Sequence, residues 1–250
     1  MKKKLIVCGD SFMAATQDIP SRHDCLGGGH FTELFAKQLN LEYDTLARGG
    51  ASNFLIYLQV VEAIKLKPDF IIVGFTDGNR IEILNAQHHS SEPDRAVTLY
   101  DFNYHEYPDL STQLRKDLWK DKPYYISTSI INVIDHPDGF EDKGRLFDEK
   151  YYNIYKDYFT NFHSYKVQLE YQTLIVEKTI SLLEKSGIKY TLTGLMMPTD
   201  NKNDMRANKD LNPWHQPMGG PYRFHTTAET QVALANKWIN YYKNLWQINN

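Results

Sequence analysis

Hydrophobic positions form two patterns along the chain, short continuous runs and helical stripes. Short apolar runs bounded by polar residues predict buried strands of a parallel sheet. These runs are Leu5–Cys8, Tyr43–Leu46, Phe70–Phe75 and Tyr190–Leu195. Between the first three runs, apolar residues recur every three or four positions, which predicts amphipathic helices over Phe31–Leu39 and Phe54–Ile64. This alternation predicts a βαβ crossover sheet with helices on both faces.

The second half of the chain departs from this alternation before returning to it. Residues 85–162 are rich in Tyr, Asp, His and Pro, and we expect an insertion of loops and short helices there. A long amphipathic helix follows over Tyr165–Ser186, and Gly187 is a typical helix-ending residue. A last helix is predicted over Thr227–Trp246. The fold class is therefore one α/β domain over residues 1–250, an α/β/α three-layer structure with a parallel sheet of four or five strands.

Charge and composition narrow the functional classes. The chain has 31 acidic and 28 basic residues and no basic stripe, so we expect no nucleic-acid partner. Only four apolar residues follow Lys2–Lys4 before a glycine, too few for a signal-peptide core or a membrane span. We therefore expect a cytoplasmic protein, or one delivered by another route. The 17 Tyr, 12 Phe and 4 Trp fit either a packed core or a carbohydrate-binding surface.

Candidate chemistry follows each predicted strand, because a doubly wound sheet binds its ligand beyond the carboxyl ends of its strands. The first strand runs into Gly9-Asp10-Ser11, and the later ones into loops with glycines, small polar residues, carboxylates and histidines. A serine, a basic histidine and amide donors are the groups that acyl transfer needs. Ser11 could instead only cap the first helix, a role that suits serine.

At these positions the sequence resembles the SGNH or GDSL-type hydrolases. The stretch "VCGDSF" matches the family's GDS(L) block with Phe12 in place of leucine, and "ARGGASN" is similar to its glycine block at Gly50. The stretch "GFTDG" resembles the third block, G-x-N-D, with Thr76 in place of asparagine. The stretch "YRFH" resembles the D-x-x-H block, with His225 kept and Tyr222 in place of aspartate.

The resemblance implies a flavodoxin-like fold and a serine esterase that acts on a small-molecule or carbohydrate ester, such as an O-acetyl group. It implies Ser11 as nucleophile, His225 as base, and the Ser11 and Gly50 amides as oxyanion donors. Three side chains are candidates for a further donor: Thr76, Asn79 and Asn53. No metal or organic cofactor is implied.

Several assignments around this core stay open. Asp210 is the first choice for the carboxylate that orients the imidazole, ahead of Asp204 and Asp200, and His215 is a rival base. Asp77 and Arg80 are secondary candidates, although Arg80 could simply pair with Asp77 or Glu82. The remaining histidines lack the spacing of metal ligands, and we expect them in solvated loops; they include His23, His30, His88 and His89.

The altered G-x-N-D and D-x-x-H blocks also allow a different class of protein. A non-catalytic binding or structural module would keep the fold while its site has drifted. A nucleotide-binding protein is disfavoured, because the chain has no G-x-G-x-x-G or P-loop pattern.

Overall fold

A computed structural model describes most of the predicted framework. The described residues are 2–10, 12–13, 29–47, 51–84, 125–129, 149–196, 198–216 and 226–246. Ser11, Gly50 and His225 lie outside them. In the described part of the chain, no helix is both long enough and apolar enough to cross a membrane.

A parallel sheet forms the centre of the fold and confirms the predicted α/β class. The described strands, numbered in chain order, are β1 Lys4–Gly9, β2 Glu42–Thr45, β3 Phe70–Phe75, β4 Arg80–Leu84, β5 Tyr125–Ser129 and β6 Lys189–Gly194. Four of them form the parallel sheet in the order β2-β1-β3-β6. This order is the flavodoxin-like 2-1-3-4 arrangement, in which β2 is added on one side of β1 and the later strands on the other.

Helices cover both faces of the sheet, as the alternating pattern predicts. The described helices are α1 Phe31–Gln38, α2 Asn53–Lys65, α3 Glu149–Asn161, α4 Tyr165–Ser186 and α5 Ala228–Leu245. Because strand side chains alternate, Leu5 and Val7 belong to the core beneath α1 and α5, and Ile6 and Cys8 to the core beneath α2 and α4. The result is three layers with two hydrophobic cores.

The chain returns to the edge of the sheet after β6, where a fifth strand would lie. The Leu192 N–H donates to the Asn203 carbonyl, and the Met205 N–H donates to the Leu192 carbonyl, at 2.9 and 2.8 Å. These bonds form a single parallel bridge at Asp204. The chain after β6 therefore returns to the sheet edge without forming a fifth parallel strand in the described residues.

The described part of the 85–162 segment corrects the expectation of loops and short helices. It contains β5, which pairs antiparallel with β4, and α3, which is 13 residues long. The strand signal of β5, "YISTS", is weak because three of its five residues are Ser or Thr. Its pairing with β4 places Arg80 opposite Ser129, at the start of a small second sheet.

Candidate functional site

The carboxyl ends of β1 and β3 lie side by side and are anchored from α2. Gly9 pairs with Gly74 in the parallel register. The buried side chain of Gln59 bonds both backbone groups of Gly9, accepting from its N–H at 2.7 Å and donating to its carbonyl at 3.2 Å. Gly74 must lack a side chain, because an added Cβ would collide with Met13 and approach Trp214. The loop after β1 therefore packs directly on the end of β3.

Asp10 is the centre of this junction. Its carboxylate is buried, and Oδ2 accepts a 2.6 Å hydrogen bond from the Thr76 hydroxyl. Its Oδ1 accepts from the Phe12 N–H at 2.9 Å, and Arg80 Nη2 lies 3.8 Å from Oδ2. A buried carboxylate requires such partners because desolvation otherwise penalises the charge. Asp10 thus ties the residues on either side of position 11 to the end of β3.

Thr76 is joined in turn to the segment that follows β2. Its N–H donates to Asn53 Oδ1 at 2.9 Å, and its carbonyl accepts from Asn53 Nδ2 at 3.2 Å. Asn53 Nδ2 also donates to Gln172 Oε1 of α4 at 2.9 Å. Both Thr76 and Asn53 are buried. The candidate oxyanion donors Thr76 and Asn53 are therefore brought together, and their side-chain hydrogens are used within a network.

A tight turn carries the next candidates, Asp77, Asn79 and Arg80. The Asn79 backbone N–H donates to Asp77 Oδ1 at 2.9 Å, and Asn79 Nδ2 donates to the same carboxylate at 3.1 and 3.2 Å. The Arg80 N–H donates to the Asp77 carbonyl at 3.2 Å. Asp77 therefore pairs with Asn79, while the guanidinium of Arg80 lies near Asp10.

His30 is a site residue that the sequence interpretation missed. Its imidazole is buried, not solvated, with Nε2 2.7 Å from the Phe12 carbonyl and Nδ1 2.8 Å from Thr32 Oγ1. Because a carbonyl can only accept, Nε2 carries the proton in this arrangement. The signal was present in "HFTE": His30 directly precedes the α1 stripe, and Glu33 completes a capping box with it.

The chain after β6 packs onto the same loop through Trp214. The Trp214 ring stacks on Phe12 with ring centroids 4.8 Å apart. The turn that holds it is anchored by Asn212, whose Nδ2 donates to the Gly194 carbonyl at 2.8 Å. His215 is the next residue and its side chain is exposed. The rival base therefore lies on a turn that contacts the loop around position 11.

The carboxylates proposed to orient the imidazole differ in environment. Asp210 is exposed, and its Oδ1 lies 3.4 Å from Lys237 Nζ. The side chain of Asp204 is buried and bonded to Arg206 Nη2 at 2.6 Å. Burial alone would raise the pKa of Asp204, but hydrogen bonds from Arg206 and the Thr199 N–H outweigh it and lower the pKa. The Asp204 carboxylate is therefore already paired with Arg206.

Two further chemical possibilities concern the thiol and metals. Burial raises the pKa of the Cys8 thiol, and a negative charge at Asp44 adds to the effect. A raised pKa keeps the thiol protonated, whereas the nucleophilic form of cysteine is the thiolate. Cys8 is therefore a packing side chain of the core and not a candidate nucleophile. Across the described residues, no group of three or more His, Cys, Asp or Glu side chains is placed to hold a metal ion.

Comparison with solved structures gives a distant likeness, and the other comparisons give no match. No family model matches the chain, and no curated protein matches it. Among solved structures, it is similar to an acetyl xylan esterase, Est2A, from the rumen bacterium Butyrivibrio proteoclasticus, with 13% identity and a TM-score of 0.32. The alignment covers 99% of this chain and 65% of that one. A likeness of this size assigns neither a family nor an activity.

The fold and the described residues define the class of protein without these comparisons. The chain is an α/β protein whose loops after β1, β2 and β3 meet in one buried polar network at the carboxyl edge of the sheet. Ligand sites of doubly wound proteins form at this edge.

Proposed function

We propose that the protein is a serine ester hydrolase of the SGNH type, acting on a small acyl ester such as an O-acetyl group on carbohydrate. The observation that supports this most is the contact of Thr76 with both Asp10 and Asn53. These residues belong to the three segments that resemble the first three blocks of the family. Their direct contact is what a shared active site at the strand ends would require.

In the proposed reaction, Ser11 Oγ attacks the ester carbonyl carbon while His225 takes the hydroxyl proton. The carbonyl π electrons move onto oxygen, and the amides of Ser11 and Gly50 donate to the resulting oxyanion. Collapse restores the carbonyl, breaks the bond to the alcohol oxygen and leaves an acyl-enzyme, with the proton passing from His225 to the alcohol. Water then attacks the acyl-enzyme by the same steps and releases the acid.

The residues on either side of Ser11 supply the rigidity that a nucleophile needs. Asp10 accepts from the Phe12 N–H, and the Met13 N–H donates to the Asp10 carbonyl at 3.0 Å. His30 Nε2 donates to the Phe12 carbonyl at 2.7 Å. Fixed residues next to a nucleophile lower the reorganisation that its reaction requires.

Asp210 is the proposed orienting carboxylate, and its surface position limits its effect. An exposed carboxylate interacts with an imidazolium through a high effective dielectric, so its contribution is small. We expect Asp210→Asn to lower kcat by about tenfold, well short of the loss for a buried triad aspartate.

Hydrolysis of p-nitrophenyl acetate and labelling by a fluorophosphonate probe test the proposal. Wild-type protein should hydrolyse the ester and be labelled, and Ser11→Ala should lose both. His225→Ala should lower kcat by about 10² to 10⁴, the usual contribution of a general base, while His215→Ala stays near wild type. Loss of activity in His215→Ala, with wild-type activity in His225→Ala, would identify His215 as the base instead. An unlabelled wild-type protein between about pH 6 and 9 contradicts the esterase.

One observation favours the second candidate, a non-catalytic binding or structural module. The Thr76 hydroxyl, which stands where the family has an oxyanion donor, donates to Asp10 instead. Such a module would bind an acetylated oligosaccharide without cleaving it. Calorimetric binding with no release of acetate and no labelling of Ser11 would support this class over the esterase.

A further inference from the structure

The side chains that could act as a third oxyanion donor already make hydrogen bonds within the protein. Thr76 has one hydroxyl hydrogen, and it is donated to Asp10. Both amide hydrogens of Asn53 have acceptors, the Thr76 carbonyl and Gln172 Oε1. Asn79 Nδ2 donates to the carboxylate of Asp77. Thr76 and Asn53 therefore cannot donate to a substrate without breaking one of these bonds, and Asn79 is held in its turn by Asp77.

Arg80 differs from Thr76 and Asn53 because its donors remain available. Its Nη2 lies 3.8 Å from Asp10 Oδ2, which is close enough for ion pairing but too far for a hydrogen bond. Among the described residues, the guanidinium has no other polar partner. Its side chain is 24% exposed, so solvent or a substrate reaches it. A guanidinium has five N–H donors, so it can contact a substrate as well as Asp10. Its partner Asp10 directly precedes Ser11 in the sequence.

The backbone of Arg80 is held firmly, so its side chain extends from a fixed point. The Arg80 N–H donates to the Asp77 carbonyl, and the Arg80 carbonyl accepts from Gln172 Nε2 at 3.4 Å. Gly78, within the turn, packs closely against Leu169. A Cβ added at Gly78 would lie 3.3 Å from the Leu169 side chain. Two residues of α4 therefore brace the turn, which is the preorganisation that charge stabilisation requires.

We propose that the Arg80 guanidinium donates to the substrate oxyanion, in the role that the SGNH family gives to the asparagine replaced here by Thr76. The inference rests on the proposed esterase function. When Ser11 Oγ bonds to the carbonyl carbon, the displaced π pair on oxygen accepts from the guanidinium through a charge-assisted hydrogen bond. Arginine remains protonated throughout, so no proton leaves Arg80 when the oxyanion collapses and the alcohol departs.

Asp10 and Thr76 then act as positioning residues for this donor. The Asp10 carboxylate attracts the guanidinium to the edge of the site, while the Thr76 and Phe12 hydrogen bonds hold the carboxylate in place. At 3.8 Å the contact with Arg80 is longer than a hydrogen bond, so the guanidinium keeps N–H groups for the substrate.

Steady-state kinetics of Arg80 variants test the inference, with p-nitrophenyl acetate as substrate. Arg80→Ala should lower kcat by about 10² to 10³, the usual loss for one oxyanion donor, with little change in KM. Arg80→Lys should fall between Ala and wild type, because an ammonium keeps the charge but lacks the planar fork. Added methylguanidinium should restore part of the activity of Arg80→Ala and none of that of Ser11→Ala.

Lys65→Ala is the matched control. Lys65 also pairs with a carboxylate, Glu62, at 2.9 Å, but at the end of α2 opposite to the strand ends. Its removal should leave kcat at the wild-type value. If Arg80→Ala does not fold, Arg80→Lys decides the question, and a wild-type kcat in that variant overturns the inference.

Failure of the inference and failure of the proposed function give different results. Active, labelled wild-type protein with an unimpaired Arg80→Ala overturns the inference alone, and so does a loss confined to KM. Wild-type protein with neither hydrolysis nor labelling of Ser11 overturns the esterase, and the inference falls with it.

Discussion

The Thr76 hydroxyl donates a 2.6 Å hydrogen bond to Asp10 Oδ2 across 66 positions of sequence, and both side chains are buried. This bond joins the end of β3 to the residue before Ser11. The Phe12 N–H donates to the other carboxylate oxygen, so each oxygen of the buried carboxylate accepts a hydrogen bond.

Thr76→Val is the first prediction, because valine keeps the shape and removes the hydroxyl. The Asp10 carboxylate would lose a donor while staying buried, and we expect the free energy of unfolding to fall by about 1.5 to 3 kcal/mol. Urea denaturation measures it. Thr76→Ser keeps the hydroxyl and is the control. If the valine variant were as stable as the serine variant, the bond would contribute nothing.

The sequence predicts the framework of the fold well because its signals are local. Phe70–Phe75 was predicted with its observed ends, since it is apolar throughout and buried on both faces. Tyr165–Ser186 was predicted equally closely because Gly187 ends the helix with a φ of +70°. The pairing of β5 with β4 was missed, because it depends on residues far apart in sequence and on a strand with few apolar positions.

The site is predictable only in part, for a related reason. The rule for parallel sheets indicates which strand ends converge, and the described residues Asp10, Asn53 and Thr76 do meet there. It does not indicate which hydrogen bonds they make. Thr76 was expected to be available to the substrate, yet its partner in the fold is Asp10. His30 was missed because histidine is an uncommon helix cap.

His30 gives the second prediction, through its two separate contacts. His30→Asn keeps a side chain that can cap α1 but cannot reach the Phe12 carbonyl, whereas His30→Ala loses both contacts. We expect His30→Ala to be less stable than His30→Asn by about 1 kcal/mol, the usual value of a helix cap. Thermal and urea unfolding of the two variants measure the difference.

The same pair of variants tests whether the Phe12 contact positions Ser11. In both, the Phe12 carbonyl loses its donor at Nε2. We expect both to react more slowly than wild type with a fluorophosphonate, to a similar extent despite their different stabilities. Labelling at the wild-type rate in His30→Asn would show that the contact serves stability only.

Gly74→Ala is the third prediction and concerns the close approach of the β1 loop to β3. The new methyl group would collide with Met13 and approach the Trp214 ring, which are both buried. We expect a loss of about 1 to 3 kcal/mol from overpacking, together with lower reactivity at Ser11. Gly78→Ala is the control, because its Cβ would lie 3.3 Å from the end of the Leu169 side chain and at ordinary contact distance, 3.5 and 3.9 Å, from Met196 and Gln172. Equal losses in the two variants would contradict the packing argument.

The fourth prediction concerns the buried pair of Asp204 and Arg206. Their side chains are 0% and 1% exposed, and the guanidinium also lies over the Phe75 ring at 5.3 Å. Asp204→Asn would leave a buried arginine without its counter-charge, and we expect the free energy of unfolding to fall by about 3 to 5 kcal/mol. Asp210→Asn removes an exposed partner of Lys237 and should change stability by less than about 1 kcal/mol.

The pH dependence of the same variant follows from the lowered pKa of Asp204. Near pH 4 and below, the unfolded chain binds a proton at this carboxylate more readily than the folded protein does. The pair therefore stabilises the fold fully above the ordinary aspartate pKa of 3.8, and this contribution is lost as the pH falls through the lower folded value. The stability gap between wild type and Asp204→Asn should accordingly narrow between about pH 5 and pH 2, as measured by urea unfolding. A gap that stays constant over that range would mean that the carboxylate is protonated alike in both states.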